Sequence, residues 1–259
     1  MKIRAAVLHK MGVLPPYTET KPVSVETVEL EDPGPGEVLV KVAAAGLCHS
    51  DLSIINGSRP RPMPMVIGHE AAGIVERPGP GVGDLKQGDH VIFVFMPSCG
   101  RCVPCSEGRP ALCDPGLAAN IAGTLISGAR RLKQNGEYIY HQVGVSSFAE
   151  YAVVSRNSLV KVDAALPLDI AALFGCAVLT GMGAVVNAAK VTAGSTVGVV
   201  GLGGVGLSAV LGALATGAAR VVAVDLLDHK LALARQLGAS DAFNANAPDA
   251  AEQIRAATG

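Results

Sequence analysis

The spacing of apolar positions changes character near Ala193. Before it, short β-prone runs recur at residues 2–8, 24–29, 37–43, 71–76 and 90–95, and again at 148–154. Pro33-Gly34-Pro35-Gly36, Pro78-Gly79-Pro80-Gly81 and Gly88-Asp89 separate them. Turn signals at that density predict a β-rich, barrel-like domain. Residues 97–114 interrupt the pattern with Cys, Gly and Pro and no periodicity, and residues 167–189 read as helical. After Ala193 come a strand at 196–200, a glycine-rich turn, a helix-length Ala/Leu run and a strand at 221–225. A weaker strand at 241–244 and a helical run at 249–258 follow. That alternation predicts a parallel sheet with crossover helices. The expected fold class is α/β with two domains, residues 1–178 and 179–259. A doubly wound nucleotide-binding sheet commonly has about six strands. Here the sheet reads as unfinished, so the chain is expected to be part of a longer protein.

Residues 170–189 and 191–219 are long and uncharged enough to resemble membrane spans. The second resolves into strand, turn and helix, which reads as the buried core of an α/β domain, so no membrane association is expected. The N-terminus has an apolar core of four residues before His9 and Lys10, shorter than the roughly 7–15 of a secretory signal, and a cytoplasmic location is expected. Hydrophobic residues at 49% and charged ones at 17% supply a sizeable core and exclude wholesale disorder. With 21 Lys+Arg against 22 Asp+Glu, no surplus of positive charge is left for a nucleic-acid backbone.

Four of the six cysteines lie in Cys99-Gly100-Arg101-Cys102-Val103-Pro104-Cys105 and Cys113, a C-x2-C-x2-C-x7-C run. Closely spaced thiolates can enclose one tetrahedral zinc, and Gly100, Pro104 and Gly108 permit the turns. An iron–sulfur cluster and two disulfides are the competing readings. A closed four-sulfur site is structural.

Cys48 follows a strand in Gly46-Leu47-Cys48-His49-Ser50-Asp51, and Cys176 precedes a helix in Gly175-Cys176. Between them lies Gly68-His69-Glu70-Ala71-Ala72-Gly73. Each cysteine alone reads as a small buried hydrophobe. Cys48, His69 and Cys176 together could hold a zinc with one open position. Further on, Gly201-Leu202-Gly203-Gly204-Val205-Gly206 is a G-x-G-x-x-G between a predicted strand and helix, and Asp225 ends the next strand 19 positions after Gly206. Gly201 allows the tight turn, Gly203 the approach of a pyrophosphate, and Gly206 close helix–strand packing. The helix N-terminus favours phosphate. Asp225 can accept from a ribose 2′-OH and repels a 2′-phosphate, which favours NAD over NADP.

Together these motifs, with Phe148-Ala149-Glu150-Tyr151 and Thr180-Gly181, resemble the zinc-dependent alcohol dehydrogenases of the medium-chain dehydrogenase/reductase family. The segment from Gly123 through Arg130 and Arg131 to His141 is similar to the liver-type branch. The resemblance implies a GroES-like catalytic domain, then a Rossmann domain, with the active site between them. It implies two Zn2+ per chain, one held by Cys48, His69 and Cys176 and the other by Cys99, Cys102, Cys105 and Cys113. The Cys2His set is that family's known ligand set. Asp51 would orient His69, Glu70 would assist ligand exchange, and Ser50 would take the alcohol's proton. Phe95 would line the substrate pocket. His49 would stand near the cofactor pyrophosphate, Thr180 and Val205 against the nicotinamide, and Lys230 at the adenine ribose. The implied reaction is reversible hydride transfer between an alcohol, ionised as alkoxide on zinc, and NAD. A thiol-adduct formaldehyde dehydrogenase of the same family and an inactive zinc- and NAD-binding fragment are the alternatives. The implied partners are a small alcohol or aldehyde and a second copy of the chain in a homodimer. Ser53 stands where liver-type members carry a His, which alters the expected proton path.

Overall fold

The structure, a computed structural model, describes residues 1–258. The chain divides into two compact units, Met1–Cys176 and the part from Ala177 onward. The division read from sequence, at 178/179, lies two residues later, inside the helix Ala177–Gly183. Both divisions keep Cys176 with the first unit.

In the first unit, ten strands form two sheets. They are β1 (Lys2–Leu8), β2 (Val23–Leu30), β3 (Glu37–Gly46), β4 (Met65–Val66), β5 (Glu70–Pro78), β6 (His90–Phe93), β7 (Leu132–Gln134), β8 (Glu137–His141), β9 (Tyr151–Ser155) and β10 (Leu159–Val162). A closed barrel runs β1-β2-β7-β8-β4, and a five-stranded sheet runs β10-β6-β5-β3-β9. Strand β3 serves both cores because successive side chains point to opposite faces. Leu39 joins Ile3, Val28 and Leu132 in one, while Val38 and Val40 join Val75, Val91 and Phe93 in the other. The strands β4, β7, β8 and β10 carry two to five residues each, too short to announce themselves by alternation. Their partners in the sheets define them.

The run read as helical at 167–189 consists of Leu168–Ala172, a 3-10 turn at Leu173–Gly175, the helix Ala177–Gly183, which follows Cys176 as expected, and a π-helical turn at Ala184–Ala188. A Cβ at Gly175 would lie 2.5 Å from the Phe93 carbonyl oxygen. Among the described residues no single helix is long and apolar enough to cross a membrane.

In the second unit, β11 (Thr196–Val200), β12 (Arg220–Asp225) and β13 (Asp241–Asn244) form a parallel sheet in that order. The helices Gly204–Ala215 and Asp228–Gln236 connect them. Residues Val221, Val222, Ala223 and Val224 of β12 are all buried, the continuous apolar run of a strand covered on both faces.

One polar group is sealed into the first unit. Glu37 is 1% exposed. It accepts hydrogen bonds from Gly34 N (2.8 Å), Ser127 Oγ (2.9 Å) and Arg131 Nε (2.8 Å). Removing the guanidinium strands a buried carboxylate, which costs about 3 kcal/mol or more. Arg131→Met is therefore expected to lower the unfolding free energy extracted from urea denaturation by that amount. Glu37→Gln combined with Arg131→Met should lose less than the sum of the two single variants' losses, and additive losses would show that the pair is not coupled.

Candidate functional site

The four-cysteine lobe is built from very short helical pieces, Val103–Ser106 and Pro110–Leu112, leading into the helix Asp114–Ala122. Cys102 and Cys113 sit immediately before helical segments, where backbone N–H groups lack partners. Some of those groups turn to sulfur: Cys99 N donates to Cys113 Sγ at 3.2 Å, Cys102 N to Cys99 Sγ at 3.3 Å and Gly116 N to Cys113 Sγ at 3.4 Å. The sulfurs of Cys99, Cys102, Cys105 and Cys113 all lie within 4.8 Å of one another, and none forms a disulfide. The Cys102 and Cys113 sulfurs are 3.9 Å apart. A tetrahedral zinc with Zn–S bonds of about 2.3 Å requires edges of about 3.8 Å, so the lobe fits such an ion. The N–H groups of Arg101 and Cys102 lower the Cys99 thiol to about 6, against burial, whereas burial and the Cys102 sulfur push Cys105 up to about 12. Four thiolates cannot share so small a volume without a cation.

The second cluster draws on three distant stretches. Cys48 ends the loop after β3 and precedes the helix His49–Ile55, His69 lies just before β5, and Cys176 closes the first unit. The Cys48 and Cys176 sulfurs are 3.8 Å apart, and Cys176 Sγ is 3.5 Å from His69 Nε2. For tetrahedral zinc with sulfur and imidazole ligands the same edges are about 3.8 and 3.6 Å. A Glu70 carboxylate oxygen lies within 4.8 Å of these three donors. The opposite nitrogen, His69 Nδ1, is 2.8 Å from Asp51 Oδ1. Since a carboxylate only accepts, Nδ1 carries a hydrogen, which leaves Nε2 as the nitrogen that faces the sulfurs and that can ligate a metal once it is deprotonated.

Asp51 and His69 are each 4% exposed. Burial opposes charge on the imidazole, but hydrogen bonds to Asp51 and Cys176 prevail and raise it to about 10. At Cys48 burial raises the thiol, yet the Ser50 backbone and hydroxyl and the charge on His69 bring it below its ordinary value. Cys176 is pushed up by burial, helped by the charge of Cys48. The donor set favours positive charge at its centre.

Around this cluster, Ser50 stands two residues after Cys48, close enough to lower its thiol pKa. Phe95 meets the His69 ring edge-on, with centroids 5.8 Å apart. His49 is exposed, and its Nδ1 is 3.5 Å from Ser53 Oγ, which donates to the His49 carbonyl oxygen at 3.0 Å. Two neighbours escape a reading of the sequence. Arg59 Nη1 reaches to 3.5 Å from Ser50 Oγ, and Gln142 Nε2 donates to Asp51 Oδ1 at 2.7 Å. A lone Arg in a Pro-rich loop and a lone Gln carry no motif.

In the second unit Gly201 takes φ +88°, the left-handed region that glycine alone adopts freely. A Cβ on Gly206 would come 1.8 Å from the Gly201 carbonyl oxygen, so helix and turn could not approach with any larger residue. Gly203 meets no atom within 4 Å of its Cβ position. Its lack of a side chain leaves open backbone just before the helix Gly204–Ala215. Asp225 holds the turn: its carboxylate accepts from the N–H groups of Leu202 (2.6 Å), Leu226 (2.8 Å) and Leu227 (3.0 Å). The Leu202 bond leads in lowering its pKa, with burial opposing. Lys230 Nζ is 3.8 Å from Asp225 Oδ2. The helix Ala177–Gly183 lies against this turn, because a Cβ on Gly181 would be 2.2 Å from the Val205 carbonyl oxygen. Thr180 is exposed, and Val205 is 43% exposed.

Comparison with known proteins agrees with this arrangement. A family model described as an alcohol dehydrogenase GroES-like domain matches residues 34–164, and one described as a zinc-binding dehydrogenase matches residues 204–259. An alcohol dehydrogenase zinc-binding domain protein from Burkholderia ambifaria is 39% identical, with a TM-score of 0.92 over 100% of this chain and 68% of its own. Benzyl alcohol dehydrogenase from Acinetobacter calcoaceticus is 37% identical, with a TM-score of 0.89 over 100% of this chain and 68% of its own. Acetophenone reductase from Geotrichum candidum, solved in complex with NAD, is 30% identical, with a TM-score of 0.75 over 96% of this chain and 65% of its own. With a GroES-like barrel, half of a Rossmann sheet and both thiol clusters in place, the chain belongs to the zinc-dependent alcohol dehydrogenases of the medium-chain dehydrogenase/reductase family.

Proposed function

We propose that this chain supplies the metal-binding and nucleotide-binding parts of an NAD-linked alcohol dehydrogenase, which interconverts an alcohol and its aldehyde or ketone by hydride transfer. The observation that carries the reading is the triangle of Cys48, Cys176 and His69, with its 3.8 Å and 3.5 Å edges. These three residues would hold one zinc, and Cys99, Cys102, Cys105 and Cys113 a second, structural one. The first zinc supplies Lewis acidity that brings the pKa of a hydroxyl down from about 16 towards about 7.

The chain's own residues then have distinct tasks. Asp51 keeps the proton on His69 Nδ1 and so directs Nε2 towards Cys176. Ser50 Oγ takes the proton that leaves the alcohol and returns it in the reverse direction. Arg59 beside Ser50 is a donor only and cannot carry that proton onward, and the Ser53 hydroxyl hydrogen is committed to the His49 carbonyl. Water therefore completes the path to solvent. Glu70 stands close enough to the donors to assist ligand exchange, and Phe95 walls the substrate side of His69.

On the cofactor side, the open backbone at Gly203 and the first-turn N–H groups of the helix receive the pyrophosphate. Asp225 uses three of about four carboxylate acceptor positions on the backbone, which leaves one for a ribose hydroxyl. Lys230 flanks it, and Thr180 and Val205 contact the nicotinamide.

The wild-type protein is expected to carry two zinc equivalents and to reduce NAD with primary or secondary alcohols. A panel of benzyl, aliphatic and hydroxymethyl-thiol substrates, followed by NADH absorbance, ranks the alcohol reading against the thiol-adduct one. Cys176→Ser should lose one zinc equivalent and at least about 1,000-fold in turnover while keeping the other zinc. Cys113→Ser should lose the other. Elemental analysis reads both, and a Cys176→Ser protein with full turnover would refute the ligand assignment.

Asp225→Ser should weaken NAD binding by about tenfold or more, the worth of one charge-assisted hydrogen bond. NADP binding should weaken less or improve. Quenching of NADH and NADPH fluorescence during titration checks the ratio, and an unchanged ratio would remove Asp225 from cofactor selection.

A further inference from the structure

Asp51 does not hold His69 unaided. Gln142, 2% exposed, lies at the junction of β8 with the loop that follows it, and its amide touches three groups of the metal cluster. Its Oε1 accepts from the backbone N–H of Gly68 at 2.6 Å, which settles which end of the amide is oxygen. Its Nε2 therefore points the other way and donates to Asp51 Oδ1 at 2.7 Å. The same Nε2 is 3.2 Å from His69 Nδ1. Both atoms carry hydrogen, so they do not bond to each other. They converge as two donors on one carboxylate oxygen. The other oxygen, Asp51 Oδ2, accepts from Cys48 N at 3.0 Å. Cys48, Asp51, His69, Gly68 and Gln142 thus form one closed set of contacts.

The loop that carries Gln142 is built for accuracy at a cost in backbone energy. Val143 has φ +44° and Ser146 φ +53°. Left-handed backbone at a β-branched residue costs on the order of 1–3 kcal/mol and persists only where its surroundings dictate it. They do so here. Gln142 N donates to Ser146 Oγ at 3.0 Å, and Ser146 Oγ donates to the Val66 carbonyl at 2.8 Å. Ser147 N donates to the Gly68 carbonyl at 3.0 Å, and Phe148 N to the Ile67 carbonyl at 3.0 Å. Gly68 itself has φ +101°, and a Cβ there would lie 2.4 Å from Phe148 N, so only glycine lets the loop close on the segment before His69.

We infer that Gln142 is a positioning residue for the His69 metal ligand: its amide clamps the Asp51 carboxylate so that His69 Nε2 stays aimed at the two sulfurs. The inference rests on the reading of Cys48, His69 and Cys176 as a zinc site. Gln142→Met removes both amide contacts at similar volume, and Gln142→Glu keeps an acceptor for Gly68 but replaces the donor to Asp51 with an acceptor.

The test measures zinc release to a chromophoric chelator from the zinc-loaded protein, with thermal melting and retention of the second zinc as checks of folding. Both variants should lose one of the two zincs about 10–100-fold faster than wild type, the range seen when partners of ligating groups are removed. The other zinc should leave at the wild-type rate. Asp51→Asn should speed release as well, and Asp51→Asn with Gln142→Met should be no faster than Asp51→Asn alone, because both act through one carboxylate. Wild-type release of this zinc in both Gln142 variants, or additive effects in the double variant, overturns the inference. Should Gln142→Met not fold, Gln142→Glu gives the same readout. A wild-type protein that binds only one zinc would instead overturn the zinc-site reading on which the inference stands.

Discussion

Two sulfurs and an imidazole nitrogen brought within 4.8 Å of one another govern the first unit of this protein. Such donors repel or waste one another unless a positive charge sits among them. The surrounding structure is arranged to keep them there. Strand β3 delivers Cys48, the turn before β5 delivers His69, and the break in the helical run at Gly175 delivers Cys176. The barrel and the five-stranded sheet hold these three ends of chain in register.

The hydrogen bond between Asp51 and His69 converts proximity into a defined site. It selects one tautomer of the imidazole, and it is buried, so water does not compete for the carboxylate. Asp51 also caps the helix that begins after Cys48. The same side chain therefore caps the start of a helix and orders the His69 ring. In the second unit Asp225, the last residue of β12, likewise holds a loop, the glycine turn, through Leu202 N. In both places a carboxylate bound by backbone N–H groups shapes a loop and leaves limited capacity for function.

Much of this was legible along the chain. The strand β1 and the parallel strands β11 and β13 match their expected positions, and β12 begins one residue earlier. These runs are long enough, or flanked by clear enough turns, for periodicity to speak. The four cysteines of the lobe are close in sequence, so their meeting in space needs little beyond short turns. The strands β4, β7, β8 and β10 were not legible, because two to five residues do not establish a period. The run at 167–189 was legible as helical, and Cys176 as preceding a helix, but the 3-10 and π-helical turns within the run were not.

By itself the sequence determined the succession of a β-rich part and a βαβ part, the glycine turn with its acidic partner, and the local sulfur cage. Each depends on residues near one another along the chain, where side-chain type and spacing decide the outcome. Only the tertiary structure decided that Cys48, His69 and Cys176 share one small volume, that Gln142 and Arg59 stand beside them, and that Asp225 is already bound by three backbone N–H groups. The contacts of Cys48 with Cys176 and of Gln142 with Asp51 join positions 128 and 91 apart, a separation that no local pattern encodes.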